Sequence, residues 1–376
     1  MKQIIIIFLS FFCFLLFFTP VRAEENKNEI EKIDVEGVSR EIKDLQKEYT
    51  YPDFEEIFQC LINLNFKKAF MKLISWLYEI AFFELKSSKL LIGELIGVII
   101  FSALFSNIAS SFQNFGVADS GFFISYFITF TIIFTNFNIM GNLFKNTIKL
   151  LSSFLKILLP VFTLSISFSG NLSTGVIFYE YFMIVVLIIN WLCINILLPV
   201  IQYYLLLELL NNFSGKQNIS RLCDSLYFLL SRGIHVMFFI LFGFHILETM
   251  IAPSVDATKN IVLDRLLGMI PGAGSIAQSV TGTVIGSSLL IKNTLGVTVI
   301  IFIFVLLAAP LLKLILYSLF YLFLSIVLEP VADERFIKCI SAAGKSGMLL
   351  IKILCMSSVL FILIIAVTSL ATNHVG

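Results

Sequence analysis

The chain has 376 residues, of which 58% are hydrophobic and only 14% are charged. Soluble globular domains carry about 25% charged residues, so this composition, with a mean hydropathy of +0.96, excludes a soluble protein and predicts a polytopic membrane protein. The net charge of +1 gives no basis for binding nucleic acid. The six cysteines have no paired spacing, so we expect neither a zinc site nor a disulfide framework.

Residues 1–23 have the pattern of a signal peptide. Met1-Lys2 is a basic start, a long apolar run follows, and Val21 and Ala23 provide the small residues of a signal-peptidase site. We expect cleavage after Ala23; the alternative is an uncleaved first anchor. In both cases the chain from residue 24 onward is translocated.

Residues 24–89 form a charged region outside the cytoplasm. Its first part is acidic-leaning, and from Phe54 onward apolar residues recur at helical spacing, which predicts one or two amphipathic helices. These helices would lie on the outer membrane surface, bind a partner's helix, or pack against the chain's own membrane domain.

Residues 90–376 are predicted to form an all-α, multi-pass membrane domain. A span needs about 20 apolar residues, which gives a total of six to eight spans. The predicted spans lie near 90–110, 121–141, 148–168, 176–199, 234–252, 297–328 and 348–370. Two blocks are ambiguous: 176–211 is too long for one crossing, and 297–328 contains Pro310 and Lys313, which favour either one kinked helix or a hairpin.

The positive charges of two loops predict the side of the membrane on which these loops lie. The loops at 213–233 and 329–347 are both rich in Lys and Arg, and such loops prefer the cytoplasm. Whether both can lie there depends on how the two ambiguous blocks cross.

Residues 262–296 are apolar but rich in Gly, Ser and Thr. Gly282 and Gly286 form a G-x-x-x-G pair, and this four-residue spacing puts small groups on one helix face, where another backbone approaches closely. Pro271-Gly272 predicts a break in any preceding helix. The alternative interpretation is an amphipathic connector whose glycines only permit bends. Further small pairs repeat the spacing: Ala273/Ala277, Ser275/Ser279 and Thr283/Ser287.

Several ionisable residues fall in or near apolar segments, where a charge at a helix centre costs about 2.5–3.5 kcal/mol. His245 and Glu248 are three residues apart and share a helix face. With Glu180 they are candidates for a proton or ion relay, while the alternative for His245 and Glu248 is a satisfied polar pair near the interface.

The sequence contains no motif of an enzyme active site that we recognise, so we expect no catalytic residues, no cofactor and no metal. Ala342-Ala343-Gly344-Lys345-Ser346 resembles the end of a phosphate-binding loop. Cys339 occupies the position where that loop needs its first glycine, so we interpret Lys345 as a lysine at a helix end that reaches towards the headgroups.

In its carboxy-terminal half the chain resembles the stage III sporulation protein AE family of endospore-forming bacteria. The resemblance is carried by Pro271-Gly272-Ala273-Gly274, by the run from Gly286 to Gly296 that includes Lys292-Asn293, and by Glu329-Pro330-Val331-Ala332-Asp333-Glu334-Arg335. On this basis the helix-packing and assembly candidates are Pro271, Gly272, Gly274, Gly282, Gly286, Lys292, Asn293 and Gly296.

The resemblance implies a subunit of the channel complex, or feeding tube, between mother cell and forespore. Such a protein would lie in the mother-cell membrane that surrounds the forespore, and it would be required for forespore development and late sigma-factor activity. Its expected partners are the other stage III sporulation proteins of the mother cell, a forespore protein, membrane lipid and a second copy of the chain.

Two other functions are open. The first is a permease-type transporter that uses Glu180, His245 and Glu248. The second is a scaffold that anchors soluble partners through residues 24–89.

Overall fold

The computed structural model describes residues 93–101 and 115–372, with gaps at 215–218, 269–273 and 331, and isolated helical positions between 71 and 104. Side chains at 115–119, 214, 252–288, 290, 291, 294 and 298 are outside this description. The described residues lie in the compact unit Cys60–Gly376. The predicted signal peptide and most of the 24–89 region lie outside the described residues.

Long helices account for nearly all of the described chain. They are α1 (Phe115–Phe168), α2 (Leu172–Leu192), α3 (Leu198–Ser214), α4 (Ser220–Gly268), α5 (Gly274–Leu328) and α6 (Glu334–Ala371). A π-helical turn, Cys193–Leu197, joins α2 to α3 without a loop. In hydrocarbon every backbone polar group must be bonded within the protein, which a helix achieves by itself.

Five helical segments of the described chain are long and apolar enough to cross a membrane. This number is near the six to eight spans predicted, and it confirms an all-α, polytopic membrane protein. Residues 93–101, inside the first predicted span, are also helical. The five segments are Ser120–Phe168, Leu172–Phe213, Ser220–Ile251, Leu295–Leu328 and Glu334–Ala371.

The spans predicted separately at 121–141 and 148–168 are one continuous helix, α1. The polar residues between them do not form a loop, because they follow the helical period. Asn142, Asn146 and Lys149 are exposed on one face, while Phe144 and Ile148 are buried on the other. The predicted boundary is therefore an amphipathic stretch of helix.

Both ambiguous blocks are also single helical segments. Residues 172–213 run through the π-helical turn without reversing direction. In α5, Pro310 lies inside the helix and does not end it, so the block at 297–328 is one long helix rather than a hairpin.

Helix α6 is the centre of the bundle. It packs against α1, α3, α4 and α5, and its apolar segment is the most buried of the five, whereas that of α4 is the least buried. The face of α4 that points away from the bundle is apolar and exposed, as expected for contact with lipid or another subunit.

Small residues of α6 bring three helices together. A Cβ built on Gly347 would lie 2.2 Å from Oγ of Ser318 in α5 and 2.7 Å from Cε of Met140 in α1. A Cβ on Gly344 would lie 2.7 Å from Cγ of Leu322. Close packing of small residues is a main source of helix association in membranes. The segment that resembled a phosphate-binding loop is therefore a helix-packing surface.

Lys345 lies in the same segment and is exposed, while Gly344 and Ser346 beside it are buried. It is not at a helix end, because α6 begins at Glu334. The predicted position of Lys345 at a helix end is corrected, and its side chain leaves the packing surface on the outer face of α6.

The helix ends that flank the two basic connections, those of α3 and α4 and those of α5 and α6, lie at the same end of the bundle. Near that end Tyr126 donates a hydrogen bond to the carbonyl oxygen of Leu209, and the rings of Phe122 and Phe336 lie 5.4 Å apart. The opposite end holds the α1–α2 turn, which Gly170 closes with a φ of 90°, and the end of α6. We call the first the basic end, defined by the ends of α3 and α5 and the starts of α4 and α6.

Replacing Gly347 with Val is expected to lower the free energy of unfolding by about 1–3 kcal/mol, because the added side chain overpacks the contact with α5 and α1. Thermal unfolding of the purified protein in detergent measures this effect. The matched control is Gly243→Val, since a Cβ on Gly243 in α4 meets no atom within 4 Å. Equal destabilisation by the two variants would contradict the packing role.

The positive-inside rule predicts a cytoplasmic basic end, which also agrees with a translocated amino-terminal region followed by one span before α1. In a background lacking native cysteines, Arg221→Cys and Glu329→Cys should react with an impermeant maleimide only in lysed protoplasts. A cysteine appended after Gly376 should react in intact ones. Opposite labelling of Arg221→Cys and Glu329→Cys would refute a common end.

Candidate functional site: a buried polar network

His245 and Glu248 of α4 are in contact inside the bundle. Nδ1 of His245 lies 2.9 Å from Oε2 of Glu248, and the two side chains are 0% and 9% exposed. Nε2 of His245 lies 3.0 Å from the carbonyl oxygen of Ile364 in α6. The i, i+3 spacing thus produces the contact that the sequence indicates.

The orientation of the imidazole determines what a hydrogen bond between His245 and Glu248 requires. The Ile364 carbonyl oxygen only accepts hydrogen bonds, so Nε2 must carry a hydrogen. Nδ1 of a neutral imidazole is then an acceptor facing a carboxylate, which is also an acceptor when ionised. The contact is favourable only with one proton between Nδ1 and Oε2, on either His245 or Glu248.

Tyr181 joins α2 to this pair. Its ring stacks on the imidazole of His245 at 5.5 Å and 18° between planes. Its hydroxyl donates a hydrogen bond of 2.6 Å to the carbonyl oxygen of Leu241 in α4. The tyrosine covers one face of the imidazole and holds α4, the least buried helix, against α2.

A second group of polar residues surrounds Lys292, near the start of the apolar segment of α5. Its side chain is fully buried, and Nζ donates a hydrogen bond of 2.7 Å to Oγ1 of Thr372. Nδ2 of Asn171, in the α1–α2 turn, donates to the Thr372 carbonyl oxygen at 3.3 Å. Next to Lys292, Oδ1 of Asn293 accepts a hydrogen bond of 3.1 Å from Ser369.

Thr368 connects the two groups. Its backbone carbonyl oxygen accepts a hydrogen bond of 2.8 Å from Oγ1 of Thr372, and its own Oγ1 lies 3.4 Å from Nε2 of His245. One buried polar network, comprising these residues, therefore extends across α2, α4, α5, α6 and the α1–α2 turn. Buried polar networks stabilise one arrangement of helices when their members are satisfied.

Gly296 lies one turn beyond Lys292 and is buried. A Cβ built there would lie 3.4 Å from Cε2 of Phe162 in α1 and 3.6 Å from Oγ of Ser369 in α6. The glycine thus brings α5 close to both helices beside the network. Lys292, Asn293 and Gly296, which were grouped by resemblance alone, share one packed region.

Glu180 is not part of the network. It is exposed on α2, between Val176 and Ile184, which are 56% and 54% exposed. The three residues proposed for a permease are therefore divided into a buried pair and one carboxylate on the outer face.

The structure does not describe what surrounds the other predicted packing residues. Pro271 and Gly272 lie outside the described residues, between the end of α4 at Gly268 and the start of α5 at Gly274. Gly282 and Gly286 are helical. Their close-packing role stays a prediction.

No pattern in the sequence marks Tyr181, Thr368, Thr372 or Asn171. Each is a common residue type in membrane helices, and each acquires its role from a partner distant in sequence. A weak signal was available for Lys292, since a lysine next to an apolar block needs a polar partner or access to water. Among the described residues no three His, Cys, Asp or Glu side chains converge as metal ligands.

Comparison with known proteins gives the family. A sequence model of the family described as Stage III sporulation protein AE matches residues 52–372 of this chain. The chain belongs to this family. It is similar to "Stage III sporulation protein AE" of Bacillus subtilis (strain 168), with 23% identity over 298 residues, covering 79% of this chain and 75% of that protein. No solved structure matches it.

The predicted resemblance is thus confirmed, and the chain is a sporulation protein with several helices able to span a membrane. The matched region contains every residue of the polar network. The network is therefore a feature of the part of the chain that defines membership in the stage III sporulation protein AE family.

Burial lowers the proton affinity of the Lys292 amine. Removal from water disfavours its charged form and lowers its pKa from 10.5 to about 8. Between these two values the unfolded chain keeps a proton that the folded protein has released. Because the unfolded state binds more protons in this window, the free energy of unfolding should rise with pH there.

Lys292→Met should remove this dependence. In the unmodified protein the contribution of Lys292 grows by up to about 3 kcal/mol between pH 8 and 10.5, since each pKa unit corresponds to about 1.4 kcal/mol. The melting temperatures of the two proteins in detergent, measured across roughly pH 7.5–10 to cover most of this window, show how the difference in their stability changes with pH. Parallel pH profiles would show that Lys292 is not the responsible group.

Proposed function

We propose that this protein is a membrane-embedded subunit of the channel complex between mother cell and forespore, and that it acts by assembly rather than by catalysis. The observation that carries the proposal is the family match over residues 52–372. In this proposal the protein lies in the mother-cell membrane around the forespore, with other stage III sporulation proteins as partners.

The outer surface of the bundle supports a role in assembly. Glu180 is exposed on an apolar face of α2, and a carboxylate in that position is costly in lipid unless another polar group meets it. Contact with a neighbouring subunit would provide such a group. This argument favours Glu180 as an interface residue over Glu180 as part of a transport path.

The lengths of α4 and α5 support a role on the outer side of the membrane. α4 continues from Ile251 to Gly268, and α5 begins at Gly274, well before its apolar segment starts at Leu295. With the basic end in the cytoplasm, these extensions point into the space between the two membranes. They carry Gly282 and Gly286, so partners would meet the small-residue segment there.

The buried pair His245–Glu248 favours a second candidate function, a permease-type transporter. A buried pair of this kind in a membrane segment is a default candidate for ion or proton movement. The exposed position of Glu180 weakens this candidate, because the pair then lacks the third predicted member.

One comparison of variants separates the two functions. In sporulating cells, Gly282→Leu with Gly286→Leu should prevent co-purification of the complex and reduce spore formation, because bulky side chains block close helix approach. Glu180→Gln, His245→Gln and Glu248→Gln together should leave the complex assembled. The matched control is Gly243→Leu, at an open position of α4.

Normal assembly and normal spores from the Gly282/Gly286 variant would refute the packing role. Loss of spores in the triple variant, with the complex still assembled, would favour the permease.

A further inference from the structure

A cationic site lies in the groove between α4 and α6, away from the polar network. Nζ of Lys352 donates hydrogen bonds of 2.8 Å to both the carbonyl oxygen and Oγ of Ser231. Nδ1 of His235 lies 2.8 Å from the same carbonyl oxygen. Lysine has three N–H donors, so this arrangement fixes the ammonium group and leaves one donor for a ligand.

Arg232 adds a second positive charge. Its side chain is exposed, its guanidinium carbon lies 5.6 Å from the ring centroid of Phe228, and its charge is near enough to act on Lys352. Cation–π contact with the phenyl ring directs the guanidinium without neutralising it.

These two cations are not compensated within the described part of the chain, where no carboxylate lies within ion-pair distance of Arg232 or Lys352. Two cations near the start of α6 are paired by contrast. Lys338 lies 2.8 Å from Glu334, and Arg335 lies 3.8 Å from Asp333. A site with two adjacent positive charges favours an anion with several oxygen acceptors, such as a phosphate group.

The surface around this site is suited to binding a lipid. Directly after Arg232, Gly233 has no atom within 4 Å of an added Cβ, so no other part of the described chain packs against α4 at that position. The exposed surface of α4 is apolar on both sides of Arg232, with Phe228 and Leu229 before it 62% and 66% exposed, and Val236, Phe239 and Ile240 after it between 53% and 65% exposed. Cations within an apolar strip match a molecule with an anionic head and hydrocarbon chains.

We infer that Arg232 and Lys352 bind the phosphate of an acidic phospholipid, whose acyl chains lie along the exposed apolar face of α4. Basic pockets between membrane helices bind such headgroups, above all on the cytoplasmic side. The positive-inside rule puts the basic end there, and Lys352 is the last charged residue on that side of the uncharged stretch 353–371 of α6. A free phosphate ion would use the cations but not the apolar strip. The inference is independent of the proposed channel.

The test uses the full chain in detergent, titrated with dioleoylphosphatidylglycerol or dioleoylphosphatidylcholine and followed by native mass spectrometry. We expect the unmodified protein to bind the acidic lipid on the order of tenfold more tightly, given the attraction of two cations. Arg232→Gln with Lys352→Gln should abolish this preference. Arg232→Lys with Lys352→Arg should retain most of it.

The matched control is Lys338→Gln, which removes one positive charge, as Arg232→Gln alone does, but from a residue already paired with Glu334. It should keep the full preference. Equal binding of the two lipids to the unmodified protein would overturn the inference, as would an equal loss of preference in the control. Displacement of the acidic lipid by millimolar inorganic phosphate would show a free-phosphate site instead.

If the double variant does not fold, the single variant Arg232→Gln tests the lipid site. Its side chain is exposed, so its removal leaves the fold intact, and it should reduce the preference severalfold. A preference unchanged by Arg232→Gln would then refute the site.

Discussion

The bundle depends on the approach of α6 to α5 and α1 at Gly344 and Gly347. In hydrocarbon the hydrophobic effect does not drive helices together, so association depends on packing and on interhelical polar contacts. The added Cβ positions at these glycines would overlap Ser318, Met140 and Leu322, which shows that the surfaces meet at the level of the backbone. Any larger residue would separate the central helix from its neighbours.

The polar network contributes specificity at the opposite end. Burying Lys292, His245 and Glu248 is unfavourable by itself, since charged groups lose their hydration. Their bonds to Thr372, Ile364 and each other are available only when α4, α5 and α6 lie in one arrangement. Small residues thus permit close contact in the half of α6 that is nearer the basic end, while polar contacts define the relative positions of the helices in the other half.

Much of the architecture followed from composition and periodicity, because long apolar runs in a membrane have helices as their main solution. The His245–Glu248 contact was also predictable, since i, i+3 spacing is a local rule. The boundary near Asn142–Lys149 was not predicted correctly, because a polar stretch in α1 has the composition of a loop but the period of a helix. Lys292 and Thr372 are 80 positions apart, and no local pattern reports such a pair.

The continuous helix α5 also has the length and stiffness to transmit force. From Leu295 back to Gly274, α5 has no break, and at about 1.5 Å per residue this extension is on the order of 30 Å long. A helical extension of that length is stiff. A partner that displaces its far end would therefore tilt the part of α5 beside Lys292. In the proposed orientation, force applied outside the membrane would therefore reach the place where α1, α5 and α6 are joined.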